Sequence, residues 1–378
     1  MWTRLMAVIT IWGMLFVLAA CAAPASPAAP AAEAPAESAA PGEAEMPAAP
    51  VADPATQPAT LEGITYTEPC TPENASGAIP EGKLRLVIGT GGTGGVFFPY
   101  GGGLARIITE KMENAEATAE VTGGSVDNMK LVQVGDADIG MSTMDSAYNA
   151  INGEGAYADT GAVPACALAT LYTSFIHVVA LEGSGIETIA DMKGKRISVG
   201  SAGSSTEGAA DRLLEAAGLD PMADITRDNL SVAESVGAIK DQKIDAFFWI
   251  GGLPTSAVTD LVNTPGVDVR FLDTGAFVEP LREKYGPVYT AYTLPKDVYG
   301  LDADVPGVGI GNTLFVNAEM PTELAHRLLT TIFDNLAEVQ EVHPEAKNLD
   351  LESAVQGSSI PYHPGAIQFY VEQGVWPQ

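Results

Sequence analysis

Beyond residue 64 the chain alternates between short apolar runs and longer stretches whose apolar positions recur every third or fourth residue. The first pattern fits buried strands and the second amphipathic helices. In chain order, strands are expected at 84–88, 117–122, 137–142, 167–172 and 176–181, and helices at 101–114, 125–134 and 145–152. A second unit starts near Glu182. It holds a short helix and turn at 189–195, strands at 196–199, 244–250 and 267–272, and helices at 206–217, 231–241 and 253–262. Gly218 fits a helix C-cap and Pro254 a first helical turn. Residues 286–309 are rich in turn formers with short extended pieces. A strand at 313–317 leads back to the first unit, a long amphipathic helix follows at 322–343, and a last helix lies within 360–378. This alternation is the signature of an α/β fold. No repeat at a fixed period is evident.

The first 63 residues follow other rules. Arg4 precedes an apolar stretch from Leu5 to Ala20 that is too short for an ordinary membrane span and fits an export signal over 1–20. Leu18-Ala19-Ala20-Cys21 fits a bacterial lipobox, so Cys21 is the expected lipidation site. Residues 21–63 are dominated by Ala and Pro, offer no apolar face to bury, and read as a tether without fixed structure, with a reach of roughly 100 Å if extended. With Arg4 removed, 18 basic residues face 48 acidic ones, a net charge of −30. Such a field repels nucleic acid. Cys70 and Cys166 remain in a compartment that permits oxidation, either as a disulfide or as two buried thiols. The histidines at 177, 326, 343 and 363 are scattered, so no metal site is expected. His177 reads as a structural, hydrogen-bonded histidine.

Candidate chemistry concentrates in IGTGGTGGVFFPYGGG, from Ile88 to Gly103. Its glycines allow sharp turns and leave backbone N–H groups bare to a ligand. Three further clusters sit between a strand end and a helix start: residues 122–128, 200–206 and 250–254. Ligands of open α/β sheets bind outside the carboxyl ends of strands. Two clusters in the first unit facing two in the second would form opposite walls of one cleft. The clusters hold no Lys or Arg. An anion would therefore be held by backbone N–H groups, by the hydroxyls of Thr90, Thr93, Ser125, Ser204, Ser205 and Thr206, and by the Asn128 amide. Simple N-capping is the competing role for Ser125 and Thr206. Phe98 or Tyr100 is expected to line the cleft, while Trp249 reads first as core.

Enzyme readings fit poorly. No G-x-S-x-G elbow and no G-x-x-x-x-G-K-[ST] phosphate loop occur. The G-x-G-x-x-G match at Gly89, Gly91 and Gly94 is separated from its helix by the aromatic insertion 95–100, and Glu110 falls inside that helix. No catalytic residue and no cofactor are expected.

Taken together, residues 89–103, 122–128, 135–140, 191–200, 244–254 and 360–365 resemble, in order, the TAXI substrate-binding proteins of TRAP transporters. The resemblance spans 84–376. It implies a two-lobed type II periplasmic-binding-protein fold, each lobe a mixed sheet flanked by helices with the ligand cleft between. Lobe I would comprise 64–181 and, after a return, 309–378; lobe II would comprise 182–308. The family's ligand loops map onto Thr90, Gly91, Gly92, Thr93 and Gly94 with Phe98, onto Ser125 and Asn128, and onto Gly203, Ser204, Ser205 and Thr206; Gly252 faces them from the second unit. The sequence departs from the family pattern at 202–206 and at 141–144. The implied function is capture of a small carboxylate, such as glutamate, glutamine, a 2-oxoacid or a dicarboxylate, by an extracytoplasmic, membrane-anchored monomer. Delivery would be to the membrane subunits of an ion-gradient-driven TRAP carrier. A same-fold binding protein serving an ATP-driven importer or a membrane sensor is the alternative, and an extracytoplasmic enzyme a remote one.

Overall fold

A computed structural model describes residues 69–377. The expected signal segment 1–20, the lipidation site Cys21 and the tether 21–63 lie outside the described residues.

Strand and helix alternate from the start of the body. β1 (Leu84–Gly89) leads into α1 (Phe97–Lys111), β2 (Ala115–Glu120) into α2 (Ser125–Val134), and β3 (Ile139–Thr143) into α3 (Met144–Asn152). The long β4 (Ala165–Leu181) follows. Next come β5 (Arg196–Ser198), α4 (Ser205–Ala216), β6 (Thr226–Asp228), α5 (Val232–Lys240), β7 (Ala246–Gly251) and α6 (Ser256–Val262). Then β8 (Val269–Phe271), α7 (Val278–Tyr285), β9 (Tyr289–Leu294) and α8 (Lys296–Tyr299) precede β10 (Val305–Asn317). The chain closes with α9 (Thr322–Asp334), α10 (Leu336–Gln340) and α11 (Pro364–Glu372). This is the mixed α/β architecture that the sequence pattern predicts.

One hydrogen-bonded sheet runs through the body in the order β2-β1-β3-β10-β4-β7-β5-β6, with β8 paired to β4 and β9 to β10. Each end is parallel, as βαβ crossovers require, while β10 and β4 run antiparallel to their neighbours in the middle. The two long strands create two halves. Ala165 to Tyr172 and Leu314 to Val316 pack into one apolar core. Farther along the same strands, Ile176 and Val178 with Val308 and Ile310 pack into a second core, and Phe175 and Val179 into a third. Both strands thus pass from one half to the other, and the cleft opens where they cross.

That crossing explains the main departure from the sequence pattern. The pattern predicts two strands, at 167–172 and 176–181; one continuous strand is found. The polar break at Thr173-Ser174 marks the passage between cores, not a turn. α1 begins at Phe97, inside the glycine run, and takes in Gly101 and Gly103, which pass too close to Thr90 and Val342 for any side chain. The long helix at 322–343 is interrupted at Asn335. Pro254 sits in a cis Leu253–Pro254 bond ahead of α6 and not in its first turn. α7 and β6 carry too few apolar positions to be read from the sequence. Cys70 and Cys166 are joined by a disulfide, with Cα atoms 5.8 Å apart, tying the start of the described chain to β4.

Candidate functional site

Five helices point their N-termini at one cavity. The residues that precede them, Val96 for α1, Gly124 for α2, Thr143 for α3, Ser204 for α4 and Ser231 for α5, all line it. Each helix follows a strand whose carboxyl end reaches the same place: β1, β2 and β3 in one half, β5 and β6 in the other. Parallel βαβ topology forces this convergence. Each helix start carries unpaired N–H groups and a partial positive charge. Ser204 and Ser231 accept from Glu207 N and Glu234 N and so cap α4 and α5, but α1, α2 and α3 have no side-chain cap. Asp127 N of α2 is taken by Gly203 O and Pro99 of α1 has no N–H, so the other first-turn amides of these helices are the ones an anion could meet.

The walls are neutral. Gly91, Gly92, Gly95, Gly123, Ser125, Ser201, Ser205, Thr206 and Gly251 supply backbone and hydroxyl groups; Val96, Phe97, Tyr172, Val232, Trp249 and Ile250 supply apolar surface; Ser174 and Asn312 lie at the strand crossing. None of the lining residues is charged. The cavity itself is small, about 40 Å³, so its walls stand close together in this structure. Trp249 is held by its indole N–H, which donates to Thr255 Oγ1 at 3.0 Å. A side chain at Gly95 would meet the Trp249 ring at 2.9 Å, so the loop approaches the indole only as glycine.

The two halves touch across the cavity. Ser125 Oγ donates to Ser205 Oγ at 3.2 Å, Asp127 N to Gly203 O at 3.1 Å, and Ser256 Oγ to Gly94 O at 3.1 Å. Gly203 adopts φ +76°, and a Cβ there would collide with the Asp127 carboxylate. The loops meet only because that position lacks a side chain. Behind them Arg212 of α4 pairs with the buried Asp145 of α3 at 3.1 Å. Asp145 also accepts from Thr143 Oγ1 at 2.6 Å and from the Tyr289 hydroxyl at 3.1 Å.

Of the residues singled out from sequence, Gly91, Gly92, Ser125, Ser204, Ser205 and Thr206 are brought together on the cavity wall. Others sit elsewhere. Thr90 is fully buried and its hydroxyl donates to Glu120 O. Asn128 is fully buried and its amide donates to Thr90 O and Met141 O, each at 2.7 Å, so it braces the loop from beneath. Thr93 is exposed. Gly94, Phe98, Gly203 and Gly252 are not among the lining residues, and Gly252 packs against Glu345 and Tyr172 instead. Neither Phe98 nor Tyr100 lines the cavity: Phe97 does, while Tyr100 is buried and stacked on Tyr172. Trp249 is a wall residue as well as a core one. His177 is buried between Phe175 O, Trp249 O and the Tyr299 hydroxyl, and burial pushes its pKa down to about 4. Sequence reasoning misses Thr143, Tyr172, Ser174, Ser231 and Asn312. The one signal for Asn312 is the polar pair Asn312-Thr313 inside a largely apolar strand.

Among the described residues no group of His, Cys, Asp and Glu could hold a metal, and no helix is long and apolar enough to cross a membrane.

Residues 88–374 match the family model described as the NMT1-like family. Solved structures with similar chains include the periplasmic aliphatic sulphonate binding protein SsuA from Escherichia coli, at 18% identity over 78% of this chain and 80% of that one, with a TM-score of 0.40. A binding protein component of an ABC phosphonate transporter from Pseudomonas aeruginosa matches at 11% identity over 70% and 79%, with a TM-score of 0.45. The ligand binding component of an ABC-type import system from Staphylococcus aureus matches at 12% over 78% and 94%, with a TM-score of 0.41. At such identities and overlaps no ligand carries across.

Proposed function

The chain belongs to the NMT1-like family, and from that premise we propose that it is an extracytoplasmic solute-binding protein that captures a small carboxylate without turning it over. One observation carries the reading: five helix N-termini converge on a cavity whose lining residues include no charged side chain. A carboxylate there gains several oriented N–H donors and a favourable dipole, while its carbon skeleton lies against Phe97, Tyr172 and Trp249. Neutral donors suit reversible capture. The absence of a cation from the lining argues against a polyphosphate, which carries more charge than backbone donors alone balance. Binding between two halves joined by β4 and β10 lets ligand bridge both walls and shift the population toward the closed form.

The finer reading is that the protein is anchored through Cys21 and serves an ion-gradient-driven TRAP carrier. Its support is the lipobox and the ordered series of motifs between residues 84 and 376. Calorimetric titration with a panel of small mono- and dicarboxylates tests the capture reading: saturable one-to-one binding of at least one acid is expected, and no binding across the panel would refute it. Reconstitution with the membrane subunits tests the delivery. Uptake should follow an imposed ion gradient; uptake that requires ATP hydrolysis would remove the TRAP assignment and leave capture standing.

A further inference from the structure

Asn312, which lines the cavity, carries a buried acceptor without a hydrogen-bond partner among the described residues. Asn312 lies at a bulge where Leu171 and Tyr172 of β4 oppose a single residue of β10. It is fully buried and lines the cavity. Its Nδ2 donates to Tyr172 O and Ser174 Oγ, each at 2.9 Å. The Tyr172 carbonyl can only accept, which fixes the orientation of the amide. Oδ1 is then left without a hydrogen-bond partner among the described residues. The helix starts around this cavity favour donation to a ligand, so an unpartnered acceptor on a lining residue selects for a ligand that also donates.

We infer that Asn312 Oδ1 receives a neutral donor of the ligand, and that the preferred ligand is a 2-hydroxy acid. This rests on the capture of a small carboxylate proposed above. The register pairs Asn312 with Thr143, the residue that opens the uncapped helix α3. Opposed residues of an antiparallel pair have Cα atoms about 5 Å apart. Asn312 and the start of α3 are therefore neighbours on the cavity wall, near enough for one small ligand to meet both. A 2-oxo acid presents a second acceptor to Oδ1. An ammonium would donate, but it would enter a site ringed by the positive ends of helices with no carboxylate on the wall to balance it.

The test is a set of matched trios measured by calorimetry on the full-length protein: lactate, pyruvate and alanine; malate, oxaloacetate and aspartate; 2-hydroxyglutarate, 2-oxoglutarate and glutamate. Within whichever trio binds, the hydroxy acid should exceed its oxo counterpart by roughly ten- to a hundredfold, the range for leaving a buried acceptor unpaired. In Asn312→Ala the preference for the hydroxy acid over its oxo counterpart should be lost. Equal or tighter binding of the oxo acid overturns the inference, and so does a preference for the amino acid. If no trio binds at all, the capture reading itself fails. The comparison in the unaltered protein decides the matter even if the variant does not fold.

Discussion

Removal of the Arg212 guanidinium should destabilise the protein far more than loss of a surface charge. The Arg212–Asp145 pair joins α4 of one half to α3 of the other at 3.1 Å, with only 16% and 4% of the two side chains exposed. Breaking a buried pair by removing one partner costs about 3–5 kcal/mol, because the remaining charge stays desolvated. Asp145 keeps hydrogen bonds from Thr143 and Tyr289 in Arg212→Met. These offset part of the loss, so about 2–3 kcal/mol is expected. Urea denaturation followed by circular dichroism reads this directly. With a slope of about 3 kcal/mol per molar for a body of this size, the midpoint should fall by roughly 1 M. The arginine also lies over the Tyr285 ring, 4.5 Å from its centroid, so some loss would reflect packing alone. The double variant Arg212→Met with Asp145→Asn separates the two. Removing the orphaned charge should return about 1 kcal/mol or more relative to the sum of the single variants. A midpoint within experimental error of the unaltered protein, or strict additivity of the two substitutions, would refute the claim that this pair is a buried, coupled contact between the halves.

Four further outcomes follow from the same structure. Ligand binding should change tryptophan emission through Trp249, which lines the cavity; the change should vanish in Trp249→Phe, and its persistence there would move the ligand elsewhere. Stability should fall as pH drops from about 6.5 toward 4, because burial pushes His177 and His363 down to about 4, so the unfolded chain takes up protons that the folded one refuses. Each tenfold difference in proton affinity between the two states is worth about 1.4 kcal/mol, so each histidine contributes about 3 kcal/mol over that window. A urea midpoint constant from pH 7 to 4.5 would contradict it. Reducing the Cys70–Cys166 bond, which spans 96 residues of sequence, should cost about 2–4 kcal/mol, read as a lower melting temperature in dithiothreitol. Gly140→Ala would drive a Cβ into the Phe315 ring inside the first core and should cost about 1–3 kcal/mol in urea denaturation, with an unchanged midpoint counting against that packing.

The supporting side chains around the site explain why stability and binding are separable here. Thr90 and Asn128 carry hydroxyl and amide groups typical of ligand contacts, yet both are fully buried and bonded to backbone carbonyls. They hold the glycine loop in shape. The wall residues Ser125, Ser205 and Thr206 keep short side chains so that helix ends can approach a ligand closely. Ser125 also accepts from Thr143 N at 3.1 Å and Thr206 Oγ1 from Ile250 N at 3.2 Å, so each hydroxyl serves the scaffold and faces the cavity at once.

Local rules account for much of what is legible in the chain. The apolar periodicity identifies most helices and strands, since side-chain spacing of 3.6 or 2 is a property of each segment. α2 is readable to its ends because Gly124 and Gly135 punctuate it on both sides. The glycine loops and their position at strand ends are equally visible, and they point to Gly91, Gly92, Ser125, Ser204, Ser205 and Thr206, which the fold gathers around one cavity. What the sequence leaves open depends on contacts between distant segments. That β4 is one strand and not two follows from the crossing of cores at Ser174, and no local pattern distinguishes a polar crossing from a turn. That Phe97 and not Phe98 faces the cavity depends on where α1 begins and on how it packs, with Gly101 and Gly103 lying against Thr90 and Val342. Whether a polar side chain braces a loop or meets a ligand is likewise a matter of tertiary partners: Asn128 finds two carbonyls, while the Asn312 carbonyl oxygen finds no donor among the described residues.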